Sequence, residues 1–84
     1  GSDLPEIKID SLEISKGIDL LDFLSKNKIM SSKSEARRAI ANNGLKINNI
    51  TIDDKKKILK LEDFKNNILK MSFGKKKHYL IKII

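Results

Sequence analysis

The sequence predicts an α+β domain, with two short helices packed on a small, mostly antiparallel sheet. Three observations carry that reading. Two early segments place apolar residues at helical spacing behind a capping residue. Four later segments alternate apolar and polar residues with the period of a half-buried strand. The chain has 84 residues, enough for one small core and no second domain.

In chain order, Gly1 and Ser2 read as an expression scar, which suggests a piece excised from a longer protein. Residues 3–16 read as a linker or an edge strand: Ile7, Ile9, Leu12 and Ile14 alternate weakly, and Pro5 suits an edge. The domain proper is expected over 17–84. Asp19 can cap a first helix running to about Asn27, with Leu20, Leu21 and Leu24 as its apolar face. Ser32 and Glu35 stand at capping-box spacing before a second helix, in which Ala36, Ala39 and Ile40 make a small apolar stripe. Asn43 and Gly44 suit a left-handed helix stop, and Leu45-Lys46-Ile47-Asn48 follows as a strand. Asn48 and Asn49 form a turn pair before a returning strand over 50–52. Residues 58–64 read as a short loop with Leu59, Leu61 and Phe64 as core pegs. Asn66 and Asn67 open a strand over 68–73, Gly74 makes a tight turn, and residues 77–84 form the last strand.

Charge is distributed unevenly. Residues 1–30 hold four Lys against six Asp and Glu, whereas 31–84 hold fourteen Lys and Arg against five, so the net +7 arises entirely in the second part. A single-sign excess in one part of a small domain points to a polyanionic partner. No apolar run approaches the roughly 20 residues of a membrane span, and the second helix has too few large apolar residues to lie on a membrane surface. The absence of cysteine fits a reducing cytoplasm and leaves no thiolate for zinc.

Catalytic constellations are missing. The one histidine, His78, lies in a predicted strand with no cysteine to pair with, and reads as structural. The carboxylate pairs Asp53-Asp54 and Glu62-Asp63 lie at predicted turns, and neither glycine-rich phosphate loop occurs. Metal-ligand spacing is absent, so neither a cofactor nor a metal is expected. Polyanion binding is the chemistry the residues support. Lys33, Arg37 and Arg38 lie on the second helix, Lys46 on the polar side of the next strand, and Lys75, Lys76 and Lys77 at the closing turn. Arg can fork two phosphate oxygens, and Lys acts as a mobile point charge. The hydroxyls of Ser31, Ser32 and Ser34 lie beside the free N–H groups at the start of that helix. One Tyr, three Phe and no Trp make a broad stacking platform a poor fit, so backbone and shape recognition is favoured. The run Lys55-Lys56-Lys57 reads as a solvated turn.

The run I-M-S-S-K-S-E-A-R-R-A-I-A-N-N-G-L-K-I-N-N resembles the alpha-L RNA-binding motif, known from the small-subunit ribosomal protein S-four. In that motif a Ser or Thr and a basic residue precede S-E-A-R at the second helix, and a glycine precedes a strand ending in Asn. Gly17-Ile18-Asp19-Leu20-Leu21-Asp22-Phe23-Leu24 and the ending around Gly74-Lys75-Lys76-Lys77 are similar to the C-terminal domain of bacterial tyrosyl-tRNA synthetases. Met71 and Phe73 stand where that family often has basic or aliphatic residues, and Asn42-Asn43 replaces a frequent glutamine-glycine approach.

The resemblance implies a non-catalytic appendage of an ATP-dependent ligase that grips the variable arm and anticodon stem of tyrosine tRNA. The fragment is then expected to be monomeric and its parent a homodimer. It implies RNA contacts at Lys33, Ser34, Arg37, Arg38, Lys46 and Asn48, with Lys75, Lys76 and Lys77 as a second tier. Ser34 and Asn48 read equally well as capping and turn residues, and Arg37 can instead pair with an acid of the first helix. The alternative is an alpha-L domain of a pseudouridine synthase or of a ribosome-associated heat-shock protein.

Overall fold

The computed structural model describes residues 4–84, so the reading of Gly1 and Ser2 lies outside the described residues. The chain runs β1 (Glu6–Ile9), α1 (Ser11–Ser15), β2 (Ile18–Asp19), α2 (Leu20–Lys26), α3 (Lys33–Ala41), β3 (Leu45–Ile47), β4 (Ile50–Thr51) and β5 (Ile58–Leu59). A 3-10 turn at Leu61–Asp63, β6 (Ile68–Phe73) and β7 (Lys77–Ile83) complete it. The main sheet has the order β1-β7-β6-β3-β4, and β2 and β5 form a separate pair. Every pairing is antiparallel except that of β1 with β7. The expected α+β class holds, with a third helix added.

Alternation decides which face of the sheet is covered. The cross-strand pairs Leu45–Phe73, Ile47–Met71 and Leu69–Ile81 point one way, and all six residues are buried. They share one apolar cluster with Leu20, Phe23 and Leu24 of α2 and with Ala36 and Ile40 of α3, so the helices cover that face. Full burial of a Leu or Ile side chain contributes about 1.5–3 kcal/mol, and this cluster holds together helices too short to persist alone. The other face carries Thr51, Lys46, Ser72 and His78 in one cross-strand row.

Several local expectations are revised. Residues 3–16 are more than a linker or edge strand. β1 is an edge strand, but Ser11–Ser15 is a helix whose start is capped by Asp10, the carboxylate accepting from Leu12 N–H at 2.9 Å. Leu12 is 70% exposed while Ile14 is buried, so their two-residue spacing only imitated a strand. The capping box at α3 is half formed. Ser32 Oγ accepts from Glu35 N–H at 3.1 Å, but the Glu35 carboxylate turns to the Ser31 hydroxyl instead of the Ser32 backbone. Among the expected core pegs, Leu59 is fully buried, whereas Leu61 is 52% exposed because the 3-10 turn lifts it outward. Residues 58–64 are thus a short strand and a 3-10 turn, not a loop. The strand expected over 68–73 is found with those bounds, Asn66 and Asn67 forming the turn before it.

Candidate nucleic-acid interface

α3 is where sequence and geometry first meet. Its apolar residues Ala36 and Ile40 are drawn into the core, which turns Lys33, Ser34, Arg37 and Arg38 outward, all exposed. At 100° per residue, Lys33, Arg37 and Ala41 fall on one stripe, and Ser34 and Arg38 on the next. Lys33 forms an ion pair with Asp22 of α2, so the acid of the preceding helix meets Lys33 and not Arg37. Both partners are about half exposed, and such a pair contributes about 0–1 kcal/mol. Its role is to hold the Lys33 stem against α2. Neither arginine forms an ion pair among the described residues.

The stop after α3 brings in the closing turn. Asn43 takes the left-handed conformation at φ 57°, so the asparagine, not Gly44, is the left-handed residue. Gly44 has a different constraint: a Cβ there would stand 3.3 Å from the carbonyl oxygen of Ala39. The Gly44 carbonyl accepts from Gly74 N–H at 3.1 Å. That bond pins the turn carrying Lys75, Lys76 and Lys77 beside the end of α3, and all three lysines are exposed. His78 supports the same turn, its ring Nε2 lying 3.1 Å from the Lys75 carbonyl. This fits a structural role for the histidine, the ring donating to the oxygen. Tyr79 packs edge-on against Phe73, ring centroids 6.1 Å apart, and is not a free stacking face.

The remaining two candidates separate. Lys46 is exposed on the sheet face opposite α2 and α3, between Thr51 and the buried Ser72, and so groups with the closing turn rather than with the arginines of α3. Asn48 is engaged within the fold. Its amide donates to the Asp63 carbonyl at 2.8 Å, and its side-chain oxygen accepts from Lys70 N–H at 3.0 Å. Both bonds serve the turn that follows β3.

The fold also adds residues to this surface that no sequence pattern singles out. Loop 53–56 lies against α3, so that Arg37, Ala41, Lys55 and Lys56 line a common cleft. No local spacing signals a contact between segments so far apart in the chain. A larger cleft beside α1 and α2 mixes Lys8, Lys16 and Lys26 with Glu13, Asp19 and Asp22, and its balanced charge gives no preference for a polyanion. Among the described residues no group of three His, Asp or Glu side chains is placed to hold a metal ion, and no helix is long and apolar enough to cross a membrane.

A helix pair, a glycine stop and a strand, with basic residues on the exposed side, define an alpha-L-like domain. Comparison with known proteins identifies which one. The family profile of the Tyrosine--tRNA ligase SYY-like C-terminal domain matches residues 2–81, and the chain belongs to that family. Among its relatives, the tyrosine--tRNA ligase of Pelagibacter ubique is 40% identical over 84 residues, covering 100% of this chain and 20% of the relative. That of Methylocella silvestris is 37% identical over 81 residues, covering 96% of this chain and 19% of the relative. That of Acetivibrio thermocellus is 32% identical, covering 96% of this chain and 20% of the relative. The chain therefore spans about one fifth of the length of these relatives. These matches favour the ligase family over the pseudouridine synthase and heat-shock alternatives.

Proposed function

We propose that this domain binds tyrosine tRNA for a parent tyrosine--tRNA ligase, gripping the variable arm and the anticodon stem through phosphate and shape contacts. The observation that carries the proposal is the pairing of family membership over residues 2–81 with an α3 surface whose Lys33, Ser34, Arg37 and Arg38 all face solvent. Arg37 and Arg38 point about 100° apart around the helix and so can engage phosphates of two strands or of successive turns. Lys75, Lys76, Lys77 and Lys46 lie beyond the Gly44–Gly74 bond and extend the grip around one end of the sheet. Asn48, held by its bonds to Asp63 and Lys70, positions the strand end beside these contacts.

In this reading the ligase chemistry, with its ATP, resides outside these 84 residues, and the domain contributes binding alone, with no cofactor of its own. The fragment is a monomer, its parent a homodimer, and both work in the cytoplasm. Filter binding of tyrosine tRNA across a salt series tests the proposal. Each phosphate contact contributes about 0.7–0.9 to the slope of log K against log salt. The expected result is a steep slope and tighter binding than to a tRNA with a short variable arm. A flat salt response, or equal affinity for the two tRNAs, would overturn it.

A further inference from the structure

The cleft between α3 and loop 53–56 has a composition that a plain phosphate patch does not need. It is lined by Arg37, Ile40 and Ala41 on the helix and by Asp53, Asp54, Lys55 and Lys56 on the loop, with a volume of about 280 Å³. That is just below the roughly 300–1,000 Å³ of small-molecule sites, a size for one base rather than an extended ligand. Three cations surround a short apolar wall, and two carboxylates stand among them. Carboxylates beside a polyanion are unfavourable unless they accept hydrogen bonds from it, and RNA offers such donors on its base edges and its 2′-hydroxyls; a cleft of this size with an apolar wall favours a base edge.

The two acids differ in their engagement. Asp54 shapes the loop: its carboxylate accepts from Lys56 N–H at 2.8 Å and its carbonyl from Lys57 N–H at 3.2 Å. Lys57 itself turns away from the cleft to Asp63, at 3.0 Å. Asp53 is exposed and makes no side-chain hydrogen bond among the described residues. A run expected to be a uniform solvated turn is thus divided, with Lys57 tied into the fold and Lys55 and Lys56 at the rim of the cleft.

We propose that this cleft receives one unstacked nucleotide of the bound RNA. The base lies against Ile40 and Ala41 under the Arg37 guanidinium, its phosphate meets Lys55 and Lys56, and Asp53 accepts from an amino or imino N–H of the base edge. Unpaired bases splayed onto arginine planes and read on their edges are the usual route to sequence-specific RNA recognition, and a carboxylate discriminates by whether the base turns an N–H or a carbonyl toward it. The inference rests on the tRNA-binding reading and adds a base-reading element to it.

The chain has no cysteine, so Ala41→Cys supplies a unique, exposed thiol at the cleft. Carrying an azidophenacyl photocrosslinker and bound to tyrosine tRNA, it should join the RNA at one unpaired nucleotide or two adjacent ones. The same label on Glu13→Cys, in the charge-balanced cleft beside α1 and α2, should give none. RNAs with each of the other bases at the joined position should then bind about tenfold more weakly where the new base turns a carbonyl or a bare ring nitrogen, instead of an N–H, to Asp53. Asp53→Asn should abolish that preference without changing the salt slope. The proposal is overturned if tRNA binds with a steep slope but crosslinks are absent or scattered along paired stems. It is equally overturned if Asp53→Asn tightens binding to all bases alike, the behaviour of an acid that merely repels phosphate. Loss of salt-dependent tRNA binding by the unmodified chain would instead sink the tRNA-binding reading itself.

Discussion

Among the described residues, six other than glycine hold positive φ, and five of them are asparagines: Asn43, Asn48, Asn49, Asn66 and Asn67. Asparagine tolerates the left-handed region because its short amide can bond to nearby backbone, whereas most L-residues lose about 1–2 kcal/mol there. Asn48 and Asn49, at φ 51° and 69°, close the β3–β4 hairpin as a two-residue turn between the paired Ile47 and Ile50. Their side chains separate the two demands of that turn. Asn49 has no side-chain partner among the described residues, so Asn49→Gly should leave stability within about 0.5 kcal/mol, while a β-branched residue there should lose about 1–3 kcal/mol. Asn48 additionally ties the 3-10 turn and β6 to the hairpin, so Asn48→Gly should lose about 1–3 kcal/mol through its two unmade hydrogen bonds. Urea titration of the three variants checks both. Asn49→Gly less stable than Asn48→Gly would reverse the assignment.

At the scale of elements, the N-cap of α3 separates folding from binding. Ser32→Ala removes the acceptor for Glu35 N–H and should lower stability by about 1 kcal/mol. It leaves every cation of α3 in place, so the salt slope of tRNA binding should not change. Arg37→Ala with Arg38→Ala should do the reverse, lowering the slope by about 2 with little change in urea midpoint, since both side chains are exposed and neither is ion-paired. These elements were legible because their signals are local. A capping serine, an apolar stripe and a helix stop fall within a dozen residues, and β6 and β7 alternate over six and seven residues. What was illegible depends on distant partners. β2 and β5 are two residues each, too short to show any period, and exist only because Ile18 meets Leu59 and Asp19 meets Ile58. β1 is parallel to the last strand of the chain, a pairing no local pattern announces. The cleft at Arg37 was hidden for the same reason, because loop 53–56 reaches α3 only in the fold.

Across the whole molecule, the question is whether RNA responds to net charge or to its placement. The sequence located the excess of cations in residues 31–84, but the structure divides those cations between ends of the sheet. Lys75, Lys76 and Lys77 stand at the β6–β7 turn, pinned to the end of α3 through Gly74 and Gly44. Lys65 lies at the other end of β6, before Ile68, and Lys8 pairs in register with Lys82 near that same end, opposite Ile68. Lys16 follows α1, and Lys8, Lys16 and Lys65 are all exposed. Converting either set of three lysines to glutamine lowers the net charge from +7 by the same amount. At about 0.15 M salt the screening length is about 8 Å, so cations at the far end contribute little to contacts made at the turn. Neutralising Lys75, Lys76 and Lys77 should therefore weaken tyrosine tRNA binding by about tenfold or more, with a slope lower by about 2–3. Neutralising Lys8, Lys16 and Lys65 should change affinity by less than about threefold. Equal losses for the two sets would mean that the domain attracts RNA by its overall field, and the interface assigned to α3 and the closing turn would have to be abandoned.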